Sequence, residues 1–259
     1  MTDIWVIAPV IESPDHGITQ AGEQENLDAL GLGPDVTLTC RFLDHGPSSV
    51  ENEIDDALAV PDLLAKALNA QKSGADGVVV NCMCDPGVKV MRAALDIPVI
   101  GPAETAFHLA ATLGRRFSIL DIGGDTKGMV TEQVEGLGLG HSFASVRGTD
   151  IPVVEINDDS GITRQRLLSE GRKAVLDDGA DVLVLGCTGF TGTARAIRRD
   201  LLAEGIDVPV IDPLPLAIRT LAALIAEGHG HSKRAYMSPT GRKRIRGYDL
   251  PELYDVVDE

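Results

Sequence analysis

Two fourteen-residue stretches of this chain, GADGVVVNCMCDPG from Gly74 to Gly87 and GADVLVLGCTGFTG from Gly179 to Gly192, align without a gap. The leading Gly-Ala-Asp, a central valine, one cysteine and the final glycine coincide. Further on, LDIPVIGP from Leu95 answers IDVPVIDP from Ile206, and a helical stretch follows each. The chain reads as two copies of one unit, so the fold of the first copy dictates that of the second.

The unit itself is α/β. Short β-branched runs (IWVIAP from Ile4, VTLTCRF from Val36, GVVVN from Gly77, FSILDI from Phe117, DVLVLG from Asp181) alternate with helical patterns. The helices are predicted over Pro61 to Ser73 and Ile162 to Asp178. Strands without polar alternation are covered on both faces, as in parallel sheets. The expected architecture is two pseudo-symmetric lobes, each a mostly parallel sheet flanked by helices, with the active site in the cleft between them. In each copy a cysteine, Cys82 or Cys187, closes a buried strand at the carboxyl edge, where open α/β sheets place their ligands. Facing lobes would present the two cysteines from opposite walls.

Composition narrows the function. With 259 residues, 44% hydrophobic and 24% charged, the chain has the make-up of a globular protein with a sizeable core. A formal net charge of -16 opposes binding to nucleic acid or anionic membranes. The basic exception, GRKRIRG from Gly241, precedes the acidic DLPELYDVVDE and is expected to fold as an arm on an acidic surface. An acidic N-terminal stretch and no apolar run of spanning length lead to the expectation of a cytoplasmic protein. Four cysteines (Cys40, Cys82, Cys84, Cys187) do not make a disulfide scaffold, which leaves chemistry or packing as their role.

Two cysteines at matching points of a repeat favour chemistry. Asp85-Pro86-Gly87 reads as a helix start, with Asp85 as side-chain cap, and Thr188-Gly189 occupies the corresponding turn of the second copy. Helix-start amides attract negative charge, and these local groups are expected to outweigh the screened acidic surface and lower the thiol pKa values from about 8.5. A thiolate on one wall and a thiol on the other form a complete acid/base pair: one removes a proton from a carbon, the other returns one to the opposite face. That scheme needs no cofactor and no metal, and a CMC triplet lacks the spacings usual for zinc.

On these residues the chain resembles the Asp/Glu/hydantoin racemase superfamily. The likeness runs from about Phe42 to Leu224 and is sharpest at NCMCDPGV, IPVIGPAETAFHLAATLGRRFSIL, LGCTGFTG and VPVIDP. It is greatest to the hydantoin racemase group, with its CxxDPG and LGCTGM-like elements. The resemblance implies cofactor-independent racemisation with Cys82 and Cys187 as the two bases. It also implies substrate contacts from Pro9, Met83, Cys84, Asp85, Thr188 and Gly189. A homo-oligomer acting on a small molecule is expected. So is a last helix that crosses back after Asp212, giving lobes of residues 1–101 plus 213–259 and 102–212. Ala8-Pro9-Val10 stands where many hydantoin racemases carry an NPN-type loop, so the asparagine contacts do not carry over. Met83-Cys84 likewise replaces the Asn-Thr of glutamate and aspartate racemases, which points away from free acidic amino acids.

The remaining signals have plainer readings. Cys84 either lines the site or packs, and Cys40 is structural. His229 to His231 is expected in solvent, and Glu104 is explained by the helix dipole. Asp121 to Asp125 (DIGGD) is a cleft-wall turn without the dinucleotide fingerprint, and Asp44 to Glu53 is a polar loop that either turns the chain or faces substrate. The leading function is racemisation at an acidic carbon, C5 of a 5-substituted hydantoin or an allantoin-like compound. Amino-acid racemisation, maleate-type isomerisation, a two-lobed binding module and a thiol redox sensor are the competing functions.

Overall fold

The computed structural model describes residues 1–124, 126–156, 161–248 and 250–257. The first copy runs β1 (Thr2–Ile11), α1 (Gln20–Asp28), β2 (Val36–Leu43), α2 (Glu53–Lys72), β3 (Gly77–Val80), α3 (Val88–Ala94) and β4 (Val99–Ile100). After α4 (Pro102–Leu113) the second copy repeats the plan: β5 (Phe117–Asp121), α5 (Thr126–Gly136), β6 (Phe143–Gly148), α6 (Ile162–Leu176), β7 (Val182–Leu185), α7 (Ala194–Ala203) and β8 (Val210–Ile211). α8 (Pro213–Ala226) and a small pair of strands, β9 (Lys243–Ile245) and β10 (Tyr254–Val256), complete the chain.

The two main sheets have the orders β2-β1-β3-β4 and β6-β5-β7-β8, every pairing parallel. This is the pair of pseudo-symmetric α/β lobes expected from the repeat. Val78 to Val80 and Val182 to Leu185 are wholly buried, which is why neither run alternates with polar residues. From β1 the chain leaves to one side for β2 and returns on the other as β3. The carboxyl ends of β1 and β3 therefore border a crevice, and those of β5 and β7 border its counterpart.

The lobes are knit together by exchanged helices. α4 follows an edge strand of the first sheet, yet Ala103, Phe107 and Ala110 pack with Phe117, Ile119, Val182 and Val184 of the second. α8 does the converse, burying Leu214, Ile218 and Leu221 against Ile4, Val6 and Val79.

Two elements differ from expectation. α2 starts at Glu53, two turns before Pro61, because Asn52 accepts the amides of Ile54 and Asp55 at 2.9 and 3.0 Å. Asp85 does not cap the helix that follows it: α3 begins after Gly87, a left-handed residue (φ 64°) that makes no side-chain cap bond. The Asp85 carboxylate, itself buried, turns instead to α4 and accepts the amides of Ala103 and Glu104 at 3.0 and 2.9 Å. Those are the unsatisfied donors of a helix whose own N-cap, Gly101, has no side chain to offer.

The second lobe makes the same link from its other end. Asp212, at the repeat position of Gly101, accepts the Gly192 amide at 2.7 Å and the Thr191 hydroxyl at 3.2 Å. In both lobes an aspartate thus ties the cysteine turn to the start of the exchanged helix.

The basic arm folds back as expected but is docked by apolar contacts, with Ile245, Leu250, Leu253 and Tyr254 against the α2 layer. Its acidic partners lie largely within the arm, where Arg242 bonds Asp255 at 2.8 Å. Glu104 is half of an ion pair with Arg92, a stronger constraint than the helix dipole alone. His231, expected in solvent, is partly buried with Nε2 2.8 Å from the Val99 amide, and burial lowers its pKa. No helix among the described residues is long and apolar enough to cross a membrane.

A Cβ on Gly101 would overlap the Asp85 carboxyl group. Gly101→Ala should therefore cost about 1–3 kcal/mol by overpacking, read as a lowered urea midpoint with the slope unchanged; an unaltered midpoint would contradict the role given to Asp85.

Candidate active site

The crevices of the two sheets merge into one cavity of about 490 Å³ between the lobes. Cys82 and Cys187 both line it, each at the first turn after its strand, together with Pro9, Met83, Cys84, Thr188 and Gly189. Asp85 is absent from the wall, because its carboxylate is committed to α4. A larger groove of about 1170 Å³ lies between α2 and the C-terminal arm and contains neither cysteine.

The two turns are built alike. The amide of Cys84 points at Cys82 Sγ at 3.4 Å, and that of Gly189 points at Cys187 Sγ at 3.4 Å. In both, the residue three beyond the cysteine closes the turn, Asp85 N to Cys82 O and Phe190 N to Cys187 O, each at 3.1 Å. The lobes also touch here directly, where the Thr188 hydroxyl donates to the Asn81 carbonyl at 3.3 Å. Met83 reaches across to pack in the core of the second lobe.

Burial, however, outweighs the local amide. The Cys187 thiol is pushed up to about 12, first by desolvation and then by the charges of Cys82, Asp121 and Glu51, against the lowering effect of the Gly189 amide. The expectation of a lowered thiol pKa is thereby corrected for Cys187. Desolvation depends on how completely the lobes enclose the sulfur, which the spacing of residues along the chain does not express. Cys84 lines the cavity, and its thiol is raised by its hydrogen bond to Cys82 and by burial. Cys40 lies in the core, 1% exposed, and is likewise pushed up to about 12 by burial.

Asp121 heads the glycine-rich turn expected on the cleft wall, whereas Asn81, Glu23 and Glu25 were not legible as wall residues. Asp121 ends β5 at the position matching Ala8; its carboxylate is buried, accepts the Thr126 hydroxyl, and is raised by desolvation. Asn81 donates to Glu23 on α1 at 2.9 Å. Of the polar loop, Ser48 and Val50 face the cavity; of the glycine-rich turn, Asp121 and Ile122 do, while Asp125 lies outside the described residues. Glu23, Glu25 and Asp121 line the cavity along with His16, and among the described residues no lysine or arginine does. No cluster of three or more histidine, cysteine or acidic side chains is arranged to hold a metal among them.

Known proteins resemble this chain over most of its length. The profile described as Asp/Glu/Hydantoin racemase matches residues 23–221. A hydantoin racemase of Paenarthrobacter aurescens is 32% identical over 203 residues, which cover 78% of this chain and 84% of the relative. One from Rhizobium meliloti is 33% identical over 187 residues, covering 72% and 76%. Among solved structures, allantoin racemase from Klebsiella pneumoniae superposes with a TM-score of 0.83 at 28% identity, covering 93% of this chain and 95% of that one.

Cys187 at pH 8 should react with iodoacetamide at least about a hundredfold more slowly than an unperturbed thiol, because so little of it is thiolate. Peptide mass spectrometry follows the labelling. Since Asp121 is one of the charges holding the thiol up, Asp121→Asn should accelerate it at fixed pH; labelling at the rate of a free thiol in the unaltered protein would contradict the assignment.

Proposed function

This chain belongs to the Asp/Glu/hydantoin racemase family, and we propose that it inverts the configuration at C5 of a 5-substituted hydantoin or an allantoin-like compound, with Cys82 and Cys187 as paired proton acceptor and donor. Racemase-type isomerase chemistry comes with the family; the substrate and the residue roles are this proposal. The observation that carries it is the duplicated sulfur environment, a backbone amide 3.4 Å from each of two thiols opening on one cavity. An inversion needs two proton-transfer groups on opposite faces of one carbon, and two facing copies of one turn supply them.

At neutral pH Cys187, raised to about 12, is a thiol and so a proton donor. For one enantiomer Cys82 removes the C5 proton while Cys187 delivers one to the opposite face, and the other enantiomer uses the exchanged roles. The Gly189 amide hydrogen-bonds Cys187 Sγ and opposes the effect of its burial, and the Cys84 amide takes the same place at Cys82 Sγ. Met83, Thr188 and Pro9 complete the substrate wall in this reading. The lobes that close on it are residues 1–101 plus 213–259 and residues 102–212.

The charge of the wall supports a neutral substrate. A free amino acid brings a carboxylate into a cavity lined by Glu23, Glu25 and Asp121 without a lysine or arginine to meet it. A hydantoin ring is uncharged near neutral pH, and its C5 proton is acidified by the adjacent ring carbonyl. The names of the relatives point the same way.

Cys82→Ser and Cys187→Ser should each lower racemisation by roughly 10²–10⁴-fold or more, the usual worth of a positioned acid or base. The assay is loss of optical rotation from each enantiomer, with proton NMR in D₂O following exchange at C5. Racemisation persisting in both variants would overturn the proposal, as would exchange into free amino acids but into no hydantoin.

A further inference from the structure

Two matched cysteines explain how a carbon could be inverted, but they are nearly symmetric and cannot by themselves read a substituent. Selection has to come from where the two walls differ, and they differ immediately before the cysteines. The second lobe has Gly186 there, where a Cβ would lie 2.8 Å from Asp121 Cα and 2.9 Å from the Leu120 carbonyl oxygen, so no side chain fits. The first lobe has Asn81, whose side chain reaches into the wall and donates to Glu23 Oε1 at 2.9 Å.

The carboxylates of the two walls are also in different states. Asp121 is 2% exposed and engaged by the Thr126 hydroxyl and the Gly123 amide. Glu23 stays partly exposed on the cavity wall. Asn81 donates to its Oε1 and Asn26 to its Oε2 at 3.2 Å, and among the described residues no lysine or arginine pairs with it. A carboxylate accepts about four hydrogen bonds, so Glu23 retains acceptor capacity. Asn81 itself is fixed by its backbone bond to Ile7 at 2.8 Å and by the Thr188 hydroxyl from the other lobe. The result is a carboxylate held on one wall, one side-chain hydrogen bond from the residue next to Cys82, with no lysine or arginine among the described residues paired to it.

Resting on the racemase reading, we propose that Glu23, positioned by Asn81, is the residue that selects the substituent: it accepts hydrogen bonds from ureido, carboxamide or ammonium groups and repels carboxylates. The asymmetric wall reads the substituent while the symmetric pair of sulfurs handles the carbon. Glu25 and Asp121 add to the same field, so an anionic substituent meets repulsion from both lobes. A purely alkyl substituent gains nothing from Glu23 and leaves its acceptor sites unanswered.

The test measures kcat/KM for racemisation of four single-enantiomer hydantoins carrying ureido, 4-aminobutyl, isobutyl or 2-carboxyethyl groups at C5. The unaltered protein should favour the ureido and aminobutyl compounds over the carboxyethyl one by at least about tenfold, the scale of one partly screened charge contact. In Glu23→Gln the aminobutyl-to-carboxyethyl ratio should fall about tenfold, mainly through KM. Glu23→Asp, which keeps the charge, should retain more of that ratio than the glutamine variant. Equal use of aminobutyl and carboxyethyl compounds by the unaltered protein would overturn the proposal without need of any variant, and so would an unchanged ratio in a folded Glu23→Gln. Racemisation of none of the four would remove the racemase reading and this proposal with it, whereas turnover of the isobutyl compound without charge preference removes this proposal alone.

Discussion

Everything at the cleft depends on the carboxylates that tie each cysteine turn to an exchanged helix. α4 grows out of the first lobe and buries its apolar face on the second sheet, and α8 does the reverse. Helices that cross between lobes transmit position from one to the other, and their first turns are where the transmission begins. Asp85 fixes that start from the cysteine turn, and Asp212 fixes it from the helix. The two repeats have placed the aspartate at opposite ends of the same link, with Gly101 leaving the room that Asp85 needs. The constraint is conserved between the copies although the residue that supplies it has moved.

From that frame follows the electrostatic character of the cavity. Enclosure between two lobes desolvates the Cys187 and Cys84 thiols, and the surrounding acidic groups raise the cost of placing a negative charge on them. One amide at 3.4 Å from Cys187 opposes this without overcoming it. For an enzyme that must deliver a proton, a thiol held protonated is useful; for one that must remove a proton it is a barrier. The two-cysteine reaction proposed above needs both in each turnover, with one sulfur in each state and the states exchanged between enantiomers. A wall that is already acidic suits a neutral ring better than a carboxylate, since a second anion beside the thiolate would raise the barrier further.

How much of this the amino-acid sequence disclosed can be judged residue by residue. The repeat was legible because its register is covalent: Cys82 and Cys187 fall at one position of an ungapped alignment, and buried parallel strands leave an unmistakable apolar run. The strand-end positions of Cys82 and Cys187 followed from topology, whereas the wall at Pro9, Met83, Cys84, Thr188 and Gly189 was implied by the resemblance to the racemase family. Asp85 reads as a cap of the following helix because a cap is recognised by its neighbours in sequence, whereas its partners, the amides of Ala103 and Glu104, lie on α4, beyond α3 and β4. Pro61 reads as a helix start, yet it lies inside α2, which Asn52 caps two turns earlier. Asn81 was visible only as the first residue of the NCMCDPGV element, and Glu23 carried no signal at all: a glutamate on a polar helix is ordinary until the fold brings it beside the cysteine turn.

The same distinction bears on how a duplicated fold acquires a directional chemistry. Duplication gives two equal walls, and equal walls suffice to pass a proton through a carbon. They do not suffice to choose which carbon, because a substrate has one substituent and must present it to one side. Divergence between the copies at a single position next to the reactive group is enough to break that equality. Gly186 leaves the second wall bare, and Asn81 lets the first wall hold a carboxylate in place. In the proposed reaction each cysteine needs its counterpart, while the positions beside them are free of that requirement and can decide the identity of the substrate.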